Sequence, residues 1–127
     1  MKKLVIALIL VFSAFISQAQ VYTYRTTDFA YKEQYRSWTE WQKSNIKLTI
    51  NFNTDTVIIY SEKVQVYKIT QYVKEYYDVS GGQTVEFRFV DQDRDRGTMR
   101  LRIDPYGTSQ IYIDFSNISW VYNIVAY

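Results

Sequence analysis

Three aspartates, Asp91, Asp93 and Asp95, alternate just ahead of Gly97 in "VDQDRDRGTMRLRID" (residues 90–104), the way the oxygen ligands of a calcium loop begin. A loop of the EF-hand type takes oxygen donors at positions 1, 3 and 5, glycine at position 6 and a bidentate acid at position 12. Counted from Asp91, the glycine position holds Arg96 and the acid position holds Arg102. Arg94 and Arg96 also sit beside the acids and repel a divalent cation. The stretch reads as the polar tip of a hairpin closed by a glycine, and no metal site is expected.

Behind that tip lie Arg88, Arg100 and Arg102. If the loop is symmetrical about Arg94, Arg88 stands opposite Arg100 and Glu86 opposite Arg102. Facing arginines repel unless an anion sits between them, and guanidinium groups fork onto carboxylate or sulfate. The three therefore form a candidate anion patch, the alternative being a solvated face relieved by the nearby aspartates. A second group is Tyr31, Tyr35, Trp38 and Trp41, rigid amphipathic side chains suited to stacking on a sugar or to a protein interface. Their alternative role is to fill strands and rim a core.

Other chemistry is narrowed by what the chain lacks. It has no histidine and no cysteine. Ser-His-Asp and Cys-His catalysis are thereby removed, along with disulfides and the commonest transition-metal ligand. Carboxylate-only hydrolysis stays open, but it needs two acids facing one cleft, and the strand pattern places no such pair. No cofactor is expected.

The chain opens with Lys2-Lys3, the apolar run Leu4 to Ile16 broken only by Ser13, and the small residues of Ser17-Gln18-Ala19. That is the pattern of a secretory signal peptide cleaved after Ala19. The run is shorter than the ~18–20 residues that span a bilayer. Removing residues 1–19 leaves 108 of the 127, a single domain over 20–127 with 13 basic and 13 acidic residues. That neutral balance argues against nucleic acid or an anionic membrane as partner, and no membrane anchor is expected after cleavage. The expected location is periplasmic or extracellular.

The remaining chain alternates apolar and polar residues, with turn residues at 53–55, 61–63, 78–82, 91–97, 104–107 and 116–117. About seven to nine short strands follow, in an all-β antiparallel meander. It should close as a small barrel of the lipocalin or calycin type, or stack as a two-layer sandwich. With the loop centred on Arg94, Phe89 faces Met99, Phe87 faces Leu101 and Val85 faces Ile103. "DPYG" suits a type I turn with Gly107 in a left-handed bulge, setting Leu101 opposite Ile111 and Met99 opposite Ile113. A turn at Ser116-Asn117 then pairs Ile113 with Trp120. The inward set of this half carries few polar atoms, on Trp120 and Tyr122, so it reads as packed core. Any pocket falls to the N-terminal half, where residues 64–76 alternate imperfectly. The stretch 31–44 fits a bulged strand better than a helix. Tyr112, Val121, Val125 and Tyr127 point outward and are expected to be exposed.

The signal ending in "QAQ", Trp38 and Trp41 ahead of "IKLTINF", and "QIYIDFSNISWVYNI" near the end carry a resemblance. The chain resembles small secreted all-β proteins of unknown function from Bacteroidetes bacteria. That resemblance implies an exported all-β fold and brings no activity with it. The function expected is non-catalytic binding of a small ligand, a glycan, a lipid or another protein, by a monomer or homodimer. The alternatives are a carboxylate-dependent hydrolase and a structural envelope subunit, the latter needing an edge left open by the last strand.

Overall fold

The computed structural model describes residues 21–127. The leader expected over residues 1–19 lies outside the described residues. Nine strands follow in chain order: β1 (Val21–Glu33), β2 (Gln42–Lys43), β3 (Lys47–Asn51), β4 (Thr56–Ile59), β5 (Gln65–Tyr77), β6 (Gln83–Asp91), β7 (Arg96–Ile103), β8 (Ser109–Asp114) and β9 (Ile118–Ala126). Apart from the two-residue β2, they form an antiparallel meander in which each strand pairs with the next. Strand β9 returns to β1 from Tyr24 opposite Ala126 to Glu33 opposite Ile118. The sheet is thus an eight-stranded closed barrel, and the sandwich is not formed. The edge a structural subunit would have used is closed by the same pairing.

Alternation decides which face is which. Leu48, Ile50, Val57, Ile59, Phe87, Met99 and Ile111 are fully buried in the lumen. Lys68, Lys74, Glu86, Arg88, Arg100 and Arg102 stand on the outer face by the same alternation. Burying each large apolar side chain supplies about 1.5–3 kcal/mol, and with no disulfide this core must carry the stability.

Both turns expected at β7–β8 and β8–β9 set the pairing foreseen: Leu101 meets Ile111, Met99 meets Ile113, and Ile113 meets Trp120. Gly107, however, is not in the left-handed conformation. The loop is held instead by Asp104, whose Oδ1 accepts the Tyr106 N–H at 2.9 Å and whose own N–H donates to Ser109 Oγ at 3.0 Å.

The β6–β7 register differs from the expected one by two residues. Phe89 faces Gly97, Phe87 faces Met99 and Val85 faces Leu101. The cause is Asp91, whose Oδ1 accepts the N–H of Asp93 at 2.9 Å and of Asp95 at 2.8 Å, closing the tip early. Arg94 follows with φ 67°. A slip of two leaves every side chain on its own face, so the apolar pattern cannot detect it; turn chemistry decides.

The stretch 31–44 is neither a helix nor one strand. Strand β1 ends at Glu33, Tyr35 turns the chain with φ 64°, and the segment returns as a strap running antiparallel beside β1, with Gln42 opposite Phe29 and Lys43 opposite Asp28. Thr39 fixes it, donating its N–H to Tyr31 O at 2.9 Å and accepting the Tyr31 N–H on Oγ1 at 3.0 Å. On the outer face Ala30 and Val121 lie opposite one another and are only 2% and 3% exposed. Val121 was expected at the surface; the Trp38 ring of the strap packs on this face against Tyr112, the cross-strand neighbour of Val121. Val125 and Tyr127 are exposed as expected.

Tyrosines on the lumen side carry a test of the packing. Burial, with Tyr22 nearby, pushes Tyr24 up to about 12, and burial also raises Tyr22, Tyr67, Tyr72 and Tyr122. The folded state holds these protons while the unfolded chain releases them near 10. Stability from this source is whole below pH 10 and is lost as pH rises toward 12. Urea midpoints measured from pH 9 to 12 are expected to fall steadily; a flat profile would show that these rings are solvated.

Candidate functional site

The upper end of the barrel carries the β4–β5, β6–β7 and β8–β9 loops. There the lumen opens into a hollow of about 390 Å³. Register shows what lines it. Tyr67 lies opposite Val57, Trp120 opposite Ile113 and Tyr122 opposite Ile111, so all three point inward. Phe115 packs edge-on against Phe89 at 5.3 Å, and Tyr67 does the same at 5.0 Å. Below this aromatic ring the lumen is filled by Phe87, Phe89 and the aliphatic core.

The polar part of the mouth is organised from within. The Tyr67 hydroxyl donates to Gln65 Oε1. Gln65 Nε2 donates to Ser61 Oγ at 3.0 Å, and Ser61 Oγ donates to Lys63 O at 2.7 Å. Gln92 Oε1 accepts the Val66 N–H at 3.1 Å, tying the start of β5 to the β6–β7 tip. Glu62, Asp91 and Asp93 line the hollow against one cation, Lys63. Asp91 doubles as the acceptor that shapes the tip. The result is an apolar floor, fixed acceptors above it and an acidic rim, suited to holding a small molecule.

The aromatic group expected from the sequence is divided by the barrel wall. Tyr31 faces inward and stacks on Trp120 at 5.0 Å, behind the mouth. Tyr35 is 94% exposed at its turn. Trp38 sits on the outside, edge-on to Tyr112 at 6.5 Å. Trp41 is half exposed on the strap and joins neither hollow. Tyr35 and Trp38 do line a second, outer hollow of about 380 Å³, with Lys32, Arg100 and Asp114. They do not act together with Tyr31.

Gln65 and Tyr67 went unnoticed in the sequence for a physical reason. Strand β5 is bulged between Ile69 and Gln71 and again between Tyr72 and Lys74, which breaks its two-residue alternation. The signal available was Trp120 and Tyr122, the polar-tipped members of an otherwise apolar inward set.

Arg100 and Arg102 take partners from the chain itself. Arg88 lies opposite Thr98 and Arg100 opposite Glu86, so the facing pair that suggested an anion patch is not formed. Arg100 stacks on Tyr112 at 4.2 Å and pairs with Asp114 at 3.2 Å. Arg102 bridges Asp78 at 2.8 Å and Asp104 at 2.9 Å, joining two loops at the lower end. Hydrogen bonds from Ser80, Arg102 and the Gly82 N–H hold the Asp78 carboxyl down to about 2. A lowered carboxylate stabilises the fold above its unfolded value near 4, and that stability is lost as pH falls toward 2. Urea midpoints of the native chain are expected to drop between pH 4 and 2, and Asp78→Asn should flatten that drop. An equally steep drop in the variant would remove Asp78 from the account.

No family model, no curated protein and no solved structure matches this chain.

Proposed function

We propose that the chain is an exported, non-catalytic binding protein whose upper mouth takes a small ligand with an apolar body. The observation that carries this is the mouth itself: about 390 Å³ ringed by Tyr67, Phe115, Trp120 and Tyr122 above a filled lumen. Drug-sized ligands occupy pockets of roughly 300–1,000 Å³ lined by apolar groups with a few fixed polar ones. The charged outer face and apolar lumen suit a barrel standing in water, since a lipid-embedded barrel has the reverse pattern. Export rests on the leader pattern of residues 1–19.

Acids do gather at the mouth, but a hydrolase needs one carboxyl free to donate and another free to attack or activate water. Asp91 Oδ1 is already engaged in its turn, and Glu62 and Asp93 stand exposed on the rim rather than facing each other across a sheltered cleft. Binding is therefore the better reading. Labelled protein titrated with methyl glycosides, medium-chain fatty acids and alkylamines is expected to shift the Trp120 indole N–H signal. The Trp38 indole should stay in place. Movement of Trp38 alone, or of neither, contradicts the reading.

A further inference from the structure

Resting on the reading of the mouth as the ligand site, the arrangement of its polar groups narrows the ligand further. Along the Tyr67–Gln65–Ser61 chain each hydroxyl hydrogen is spent inside the chain, on Gln65 Oε1 and on Lys63 O. What these oxygens offer a ligand is lone pairs. The rim adds Glu62, Asp91 and Asp93 against Lys63, a local excess of negative charge. Arg94 and Arg96, on the same tip, do not line the hollow. The Asp91 charge is felt inside: it is one of the causes, after burial, that raise Tyr67. Beneath lie tyrosine, phenylalanine and tryptophan rings, and aromatic rings attract cations, tryptophan most strongly.

We propose that the mouth selects a small organic cation, a protonated amine on an apolar body, over neutral or anionic molecules of the same shape. The ammonium would sit among Gln65, Tyr67 and the rim carboxylates, which accept its hydrogens. The apolar body would lie against Val64, Phe115 and Trp120. Neutral ligands would keep the apolar contact but lack the charge attraction of the rim, and anions would meet like charge.

Three probes share one tail and differ only in head group: n-hexylammonium, 1-hexanol and hexanoate. Each is titrated into labelled full-length mature protein at pH 7 while the Trp120 indole signal is followed. Hexylammonium is expected to bind roughly fivefold or more tighter than hexanol, with hexanoate weakest, and added salt should shrink the gap. The triple variant Glu62→Gln, Asp91→Asn, Asp93→Asn should bring hexylammonium to within about twofold of hexanol. Asparagine at 91 keeps an oxygen for the turn, so the tip should survive. Hexanol or hexanoate binding as well as hexylammonium at the mouth would overturn the cation inference and leave the mouth as the ligand site. If none of the three moves Trp120, both fail.

Discussion

Phe87→Ala is expected to lower the unfolding free energy by about 3–5 kcal/mol, the cost of emptying a phenylalanine site in a packed core. Phe87 is fully buried at the middle of β6, between Tyr72 on β5 and Met99 on β7. Its ring lies 6.2 Å from that of Tyr72, centroid to centroid. A closed barrel leaves its neighbours little freedom to collapse, because every wall strand is paired on both sides. A domain of this size has about 5–15 kcal/mol in total, so the variant stands near the limit of folding. Urea denaturation at 25 °C checks it, with Phe87→Leu as the milder comparison, expected to cost well under half as much. A loss below about 1 kcal/mol for the alanine variant would mean that the lumen is not packed as described.

Gly97→Ala is the second large effect, and it acts by overfilling. A Cβ at this position would fall 2.4 Å from the Asp114 carbonyl oxygen and 2.5 Å from Phe89 Cζ. The Phe89 ring is buried between Tyr67 and Phe115, and the carbonyl belongs to the β8 backbone, which cannot move aside. We expect a loss of about 1–3 kcal/mol, the usual cost of a forced backbone shift. Adding Phe89→Leu should not restore it. Recovery in that double variant would place the conflict on the ring rather than on the strand.

Gly97 also illustrates how much of the fold was legible beforehand. Its place near the hairpin tip could be read from "DRG", but its role as the position where β8 and the Phe89 ring come close depends on the register. The register slipped by two because side-chain alternation has that period, and only the Asp91 hydrogen bonds break the tie. Where turn residues and pattern acted together, as from Met99 to Trp120, the pairing was legible rung by rung. Ala30 and Val121 were opaque because the Trp38 ring reaches their face only through the turn at Tyr35, and alternation carries no trace of such a return. The mouth was half legible: Trp120 and Tyr122 stood out as polar-tipped members of an apolar set. Tyr67 did not, hidden by the β5 bulges.

The same geometry explains why aromatics grouped in the sequence are separated in the structure. Tyr31 and Trp38 are seven positions apart, yet Tyr31 points inward onto Trp120 while Trp38, beyond the turn at Tyr35, lies on the outer face against Tyr112. Proximity in sequence therefore did not become proximity in space.

The proposed role places a ligand in the mouth above the filled lumen. Native mass spectrometry of the protein gently purified from its own host, beside a Val64→Trp variant prepared the same way, checks this directly. Val64 is 44% exposed at the rim, so a larger ring there blocks the mouth without entering the core. The account predicts a retained mass on the order of a few hundred daltons on the native chain, the size such a hollow accommodates, and its loss in the variant. A bare native chain, or an adduct that survives Val64→Trp, would contradict it.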